Sequence, residues 1–429
     1  MHETTNDVEK SLGLKYYFTP NKGIDGKIKV IPEDFIVQEI LRGGIILPLK
    51  RDKPIMPVSN NGKYLRIILF KKGVDTLTAI NKLSKISKIP FSNFQFLGLK
   101  DARALTSQLI SVKCNGRNIS EINNINTKNV EVLSSYKSNT HVSTHELWGN
   151  KFTVTIRTKE DDEKLFENMT IIQSFLSFKQ LPSYFGHQRF SVNEPFNHIV
   201  GKLILKRMYD KAVKLILSRE HHEFDLLLEE TLANGKYAKI DYEDKEYSST
   251  FEKIPTFIVK IFLQSYQSYL FNIFINKRID MGIPIEYAIE GDIVSPLETT
   301  VFREEDILFT NNKNIEKVNS LIKRGLFSIL YPIPGFSLWK MPRDEAYEPI
   351  AKVMEEEKIS LNEFLFKEFP EISMVGYYRP LKFKVYNFTW NITKEGNILC
   401  RFILKKGFYA TIVLREIIKP SHPDKSGFK

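Results

Sequence analysis

"NFQFLGLKDARALTSQLISVKC", residues 93–114, sets two apolar, strand-like runs on either side of a polar connection. "NFQFL" before it and "QLISVKC" after it both read as strands, so Gly98 to Thr106 is predicted to be a loop whose backbone the sheet holds at both ends. Loops placed by rigid strands often carry function. This one offers Asp101 with no histidine or cysteine beside it. A carboxylate, with a reference pKa of about 4, is ionised at neutral pH and can attack an electrophilic carbon without a neighbouring base. Local pattern alone favours a plainer turn, in which Asp101 or Thr106 bonds backbone donors and Lys100 is solvated.

Outward from this loop, "KIKVIPEDFIVQEI" (27–40) alternates as a strand, interrupted at Pro32, Glu33 and Asp34, so Phe35 starts a fresh strand beside a turn. "YLRIILF" (64–70) and "GNKFTVTIR" (149–157) read as further strands. After a turn at Lys71 to Gly73 a helix is predicted, capped by Asp75 or Thr76, with Leu77, Ile80 and Leu83 inward. Between about 160 and 370 the period becomes helical, as in "HIVGKLILKRMYDKAVKLIL" (198–217) and "IVKIFLQSYQSYLFNIFINKRI" (258–279). Strand signals return after Gly376, in "LKFKVYNFTWNI" (381–392) and "CRFILKKGFYATIVLRE" (400–416). Strands at both ends and helices between them imply a sheet-based domain interrupted by a helical insertion. The first residues are polar and expected to fray.

Composition narrows the partners. Lysine and arginine number 62 against 51 aspartates and glutamates, a net charge of +11 that favours a polyanion or, more plainly, a solvated basic surface. Lys202, Lys206, Arg207, Lys211 and Lys214 recur along one predicted helix as a stripe that could follow phosphates. The two cysteines, Cys114 and Cys400, lie far apart and match no metal or disulfide spacing, and the His221, His222 pair precedes ordinary helix surface. No metal site is expected. No apolar run approaches the length of about 18 residues that a membrane span needs, and the polar start lacks a signal peptide's apolar core, so a cytoplasmic protein without membrane contact is expected.

"GLKDARALTSQ" resembles the signature of the TruD family of tRNA pseudouridine synthases, in which a Gly, Lys-Asp, Ala, Thr, Gln pattern carries the catalytic aspartate. "PEDFIVQEI" (32–40), "FKKGVDTLTAI" (70–80), "WGNKFTVTIR" (148–157), "SYFGHQRF" (183–190), "LQSYQSYLFN" (263–272), "GDIVSP" (291–296), "GYYRPL" (376–381) and "LKKGFYATIVLRE" (404–416) resemble family motifs in family order. The resemblance covers about residues 26–416. It implies an α+β fold: a pseudouridine synthase catalytic domain with a mixed, largely antiparallel sheet, interrupted by a helix-rich TRUD insertion domain. The expected boundaries are a polar segment at 1–25, the catalytic domain at 26–180, the insertion at 181–380 and completing strands at 381–429.

The resemblance further implies isomerisation of uridine to pseudouridine in tRNA, position 13 being the family's usual target and other RNAs further ones, without any small-molecule cofactor. Asp101 matches the nucleophile and Lys29 the cation near it. Phe35, Tyr409 and Phe185 match aromatic positions around the target uracil, and Gln188 and Arg189 match positions that face RNA or hold the loop. Ser183 departs from the family's asparagine before "YFG", and Ser191 from its glycine after "QRF". If that glycine holds a positive φ, serine there is strained. Ser183 supports an alternative reading, an RNA-binding or RNA-folding protein that keeps the fold with decayed chemistry. A metal-dependent nuclease would want clustered carboxylates or histidines, which the motifs do not supply.

Overall fold

The computed structural model describes residues 1–51, 62–113, 119–191, 195–218, 251–252, 254–297, 306–338 and 340–428. Cys114 and the His221, His222 pair lie outside them. The chain divides into two compact units, one of Tyr17–Leu181 with Phe383–Phe428 and one of His2–Tyr16 with Pro182–Lys382.

The first unit is built on an eight-stranded sheet. Its strands are β1 (Phe35–Leu41), β2 (Tyr64–Lys72), β3 (Phe94–Phe96), β4 (Leu105–Lys113), β5 (Val130–Ser138), β6 (Leu147–Ile156), β7 (Tyr386–Ile392) and β8 (Ile398–Lys405). They run in the order β7-β8-β6-β1-β4-β2-β5, with β3 beside β4. The pairings are antiparallel apart from β1 with β4, so the sheet is mixed and largely antiparallel, as the resemblance implies. Both faces are covered, which explains the near-continuous apolar run of β2. Leu65, Ile67 and Leu69 enter one core with Ala79, Ile80 and Leu83, while Ile68 enters another with Leu41, Leu97 and Leu109. Each such aliphatic side chain contributes roughly 1.5–3 kcal/mol by leaving water.

Helix α1 (Thr76–Ser87) begins at Asp75, whose carboxylate accepts from the Thr78 amide at 2.9 Å. Ala79 joins Ile80 and Leu83 on the buried face, and Leu77 is only half-buried. Register then decides what meets at the sheet's end. Ile36 pairs with Leu105, and Leu105 with Lys72. The start of β1, the start of β4 and the end of β2 therefore share one edge, where the segments leading into β1 and β4 approach each other.

"CRFILKKGFYATIVLRE" does not stay extended. Gly407, at φ +88°, turns the chain after β8, and Ala410–Ile418 form a helix. All of its residues are buried, Thr411, Arg415 and Glu416 included, and its β-branched residues mimic a strand. Its Glu416 is satisfied by the amides of Phe18 and Thr19 and by the Thr19 hydroxyl.

The second unit is helical around α2 (Asn197–Leu205), α3 (Tyr209–Leu217), α4 (Thr256–Asp280) and α5 (Asp344–Glu356). It also contains an antiparallel sheet of Ile293–Pro296, Leu308–Phe309, Phe327–Ile333 and Tyr377–Pro380, which the helical texture of the sequence hid. The single helix expected over 198–217 breaks at Arg207, whose φ is +56°. The chain's first residues are ordered: Asn6 caps a turn of helix at Asp7–Ser11, and Leu12 and Leu14 are buried.

Candidate active site

Lys29 reaches Asp101 from across the sheet's end. Its Nζ donates to Asp101 Oδ1 at 2.9 Å and stands 4.6 Å from the centroid of the Phe35 ring. The Lys29 side chain is 2% exposed and that of Asp101 19%, so the carboxylate is the reachable member of the pair. Lys29 is held at φ +56°, a left-handed conformation uncommon for residues other than glycine. An ammonium at this distance pairs with the carboxylate and fixes its orientation.

Phe35 is 1% exposed and packs edge-on against Phe152 at 6.1 Å. It presents its face to the Lys29 ammonium, which is attracted to the ring quadrupole. Asp101, Lys29 and Phe35 thus come together although they lie up to 72 positions apart. Tyr409 belongs to the same unit and stands at the N-terminal cap of the C-terminal helix, beside Phe408, whose ring stacks on Phe383 at 4.8 Å.

The loop's own backbone is held by two residues to which the sequence reading gave other places: Lys71, expected in a turn, lies in β2, which runs on to Lys72, and Thr76, a candidate cap, is the first residue of α1. Lys71 Nζ donates to the carbonyls of Asp101 (2.6 Å), Val74 (2.8 Å) and Lys100 (3.3 Å). The Thr76 hydroxyl accepts from the Lys100 amide at 2.9 Å and donates to Gln108 Oε1 at 3.0 Å. Lys100 turns inward to Glu39 at 2.8 Å, so it is not the solvated lysine of the plain-turn reading. A signal for Lys71 was present: it continues the buried row Leu65, Ile67, Leu69 at the two-residue period of a strand, where a lysine is out of place.

The remaining predicted residues lie in the second unit. Ser183 is fully buried; its amide donates to the Leu381 carbonyl at 2.8 Å, its carbonyl accepts from Arg379 Nε at 3.1 Å, and its hydroxyl has no hydrogen-bond partner. Phe185 is 3% exposed, with the Arg379 guanidinium 4.2 Å from its ring centroid and Phe271 edge-on at 5.7 Å. The half-buried Arg189 donates to Ser268 at 3.1 Å and to Gln264 at 3.1 Å on α4, and its carbonyl accepts from Ser265. Gln188 beside it is half-buried. Ser191 has φ +131°, the left-handed side of the map that favours glycine. Replacing it with glycine relieves that strain and, after the larger entropy loss of glycine, is expected to stabilise the protein by about 1 kcal/mol in denaturant unfolding.

The basic stripe is largely spent inside its own unit. Lys202 pairs with Glu357 at 2.7 Å, Lys206 with Glu363 at 2.9 Å and Arg207 with Glu368 at 3.5 Å. The bend at Arg207 also breaks its line, leaving Lys211 and Lys214 exposed. Among the described residues no histidine, cysteine and carboxylate cluster could hold a metal, and no helix is long and apolar enough to cross a membrane.

Comparison with known proteins agrees in sequence and in fold. The profile of tRNA pseudouridine synthase D (TruD) matches residues 11–238 and 228–417. A Methanosarcina acetivorans protein named "Probable tRNA pseudouridine synthase D" is 32% identical over 455 residues, spanning 96% of this chain and 97% of its own. A Pyrococcus furiosus protein of the same name is 32% identical over 428 residues, spanning 95% and 98%. The crystal structure of a TruD protein from Methanosarcina mazei covers 96% of this chain and 98% of its own at a TM-score of 0.71 and 29% identity. With the signature loop, the sheet and nearly the whole length in agreement, the chain belongs to the TruD family of tRNA pseudouridine synthases, which are isomerases.

Proposed function

We propose that this protein isomerises a uridine of tRNA, at position 13, with Asp101 as the nucleophile acting on a base flipped out of its stack. The observation that carries this reading is the reachable Asp101 carboxylate held at 2.9 Å by a buried ammonium. The reaction conserves every atom. The bond from ribose C1′ to uracil N1 breaks, the base turns, C1′ bonds to C5, the C5 proton leaves and N1 ends protonated. Asp101 adds transiently to the base or to C1′ and departs as a carboxylate, so the balance needs neither oxidant nor reductant, and no cofactor enters.

Lys29 pairs with the nucleophile and orients it, and Phe35 backs Lys29. Tyr409 supplies a ring for the extruded base, which needs flat surface to replace its lost stacking. In the second unit Gln188 is proposed to meet the RNA, while Arg189, tied to α4, and the buried Phe185 act by holding their loop. Ser183, fully buried, is proposed to act through the segment that bears Phe185, its hydroxyl a shorter reach than the amide it replaces.

The test is a metal-free incubation with unmodified tRNA transcripts, then carbodiimide labelling and primer extension, alongside Asp101→Ala. A stop at position 13 that vanishes in the variant supports the reading. Tight tRNA binding with no stop at any uridine would favour the binding-only alternative. Lys29→Met is expected to lower the single-turnover rate about a hundredfold while the tRNA dissociation constant stays within about threefold. An equal loss of affinity would place Lys29 in RNA binding instead.

A further inference from the structure

Lys71 is a buried charge that the proposed chemistry does not use. Its side chain lies at the end of an apolar row, and its Nζ meets the carbonyl of Val74, just before the cap of α1. Burial without compensation is costly for an ammonium, so its position calls for an explanation. The compensation is specific: all three donors of the ammonium are aimed at backbone carbonyls, two of them in the catalytic loop, at Asp101 and Lys100, and the third at Val74, just before the helix.

We infer that Lys71 is a positioning residue for the isomerisation, its ammonium clamping the backbone of Lys100 and Asp101 so that the Asp101 carboxylate is presented in one orientation. The inference rests on Asp101 being the nucleophile. It divides the work between two lysines: Lys29 binds the carboxylate, and Lys71 fixes the residue that bears it.

Titration offers a readout that a merely structural lysine would not give. Burial pushes the Lys71 ammonium down to about 8, Asp101 and Asp75 pull it back up, and Lys100 adds to the depression. Lys29 stands behind Asp101, and Glu39 behind Lys100. On the flanking strands its register partners are the uncharged Thr106 and Val130, with Glu131 next along β5 and turned to Arg51 at 3.1 Å. Above pH 8 the neutral amine keeps two donors for three carbonyls, and the clamp loosens. The stability term has the opposite sign. A lysine with a folded pKa below its unfolded value gains stability as pH rises from about 8 to about 10.5, so an alkaline loss of rate from this group is not unfolding.

The experiment measures single-turnover pseudouridine formation between pH 6.5 and 9.5 for the wild type, Lys71→Arg and Lys71→Met, with tRNA affinity, melting temperature and amide hydrogen exchange over residues 98–104. The wild-type rate is expected to fall as pH passes about 8 with no fall in melting temperature. Lys71→Arg, whose charge does not titrate in this range, is expected to remove that fall. Lys71→Met is expected to be slower by about tenfold to a hundredfold, to keep its tRNA affinity within about threefold and to exchange faster over 98–104. A wild-type rate flat to pH 9.5, or a Lys71→Met variant with unchanged rate and exchange, overturns the inference. Should Lys71→Met not fold, the wild-type and Lys71→Arg profiles decide. If Asp101→Ala keeps its turnover, the nucleophile assignment fails by itself, and unchanged exchange over 98–104 in Lys71→Met then overturns the clamp while faster exchange upholds it.

Discussion

Asp101→Ala is expected to abolish pseudouridine formation, lowering the single-turnover rate by about 10⁴-fold or more, while tRNA binding stays within about threefold of the wild type. The two halves of this result have separate causes. In the proposed chemistry the carboxylate forms the covalent bond, and Glu39, an acidic group that the network also reaches through Lys100, is fully buried and engaged by Lys100 and by the Leu109 amide at 2.8 Å. Affinity for tRNA comes chiefly from cations on phosphates, which the substitution leaves in place. Removing one negative charge beside bound RNA could even tighten binding slightly. Primer extension after carbodiimide labelling reads the first half and filter binding the second. Retained turnover would remove Asp101 from the chemistry, and a parallel loss of affinity would make it a binding residue.

Asp292→Ala is expected to give the largest loss of stability, about 3–5 kcal/mol, because it strands a buried guanidinium. Arg278 and Asp292 have fully buried side chains and meet through two hydrogen bonds, 2.6 Å from Nη1 to Oδ1 and 2.7 Å from Nη2 to Oδ2. The Tyr331 hydroxyl lies 3.1 Å from the same guanidinium, and the Ile289 amide donates to Asp292 at 2.9 Å. These partners hold the Arg278 pKa above its ordinary value despite burial. Replacing Asp292 leaves a charge without its counter-ion in a medium that cannot solvate it. Replacing both residues by apolar ones of similar volume is expected to recover most of the loss, since the pair repays its own desolvation more than it adds net stability. Chemical denaturation of the single and double variants separates these terms. Asp292 lies in "GDIVSP", so a stretch that reads as a family motif is here a structural device of the second unit.

Much of this was legible before any coordinates. The strands flanking Gly98–Thr106 followed from alternation, the cap of α1 from Asp75, and Asp101 from a loop signature whose neighbours recur in family order. Lys29 was readable only through the motif context, because one lysine in a strand-like run looks like any other. Local pattern failed where burial was complete. The C-terminal helix is rich in β-branched residues that read as a strand, and the short strands of the second unit are apolar runs amid helices. The stripe from Lys202 to Lys214 was a true periodicity with a different purpose, since the carboxylates that meet it lie more than 150 positions away.

The sequence by itself determined the family, the sheet's alternation and the loop that carries Asp101, because each is written in residues adjacent along the chain. Tertiary structure alone decided that Lys29 touches Asp101, that Lys71 carries the loop's carbonyls, and that Phe35 and Phe185 are buried rather than open platforms. The inward places of Phe35 and Lys71 depend on strand register, where Ile36 meets Leu105 and Leu105 meets Lys72. Register is set by the fit of whole apolar faces across the sheet, and a shift of one residue would turn each of these side chains to the other side.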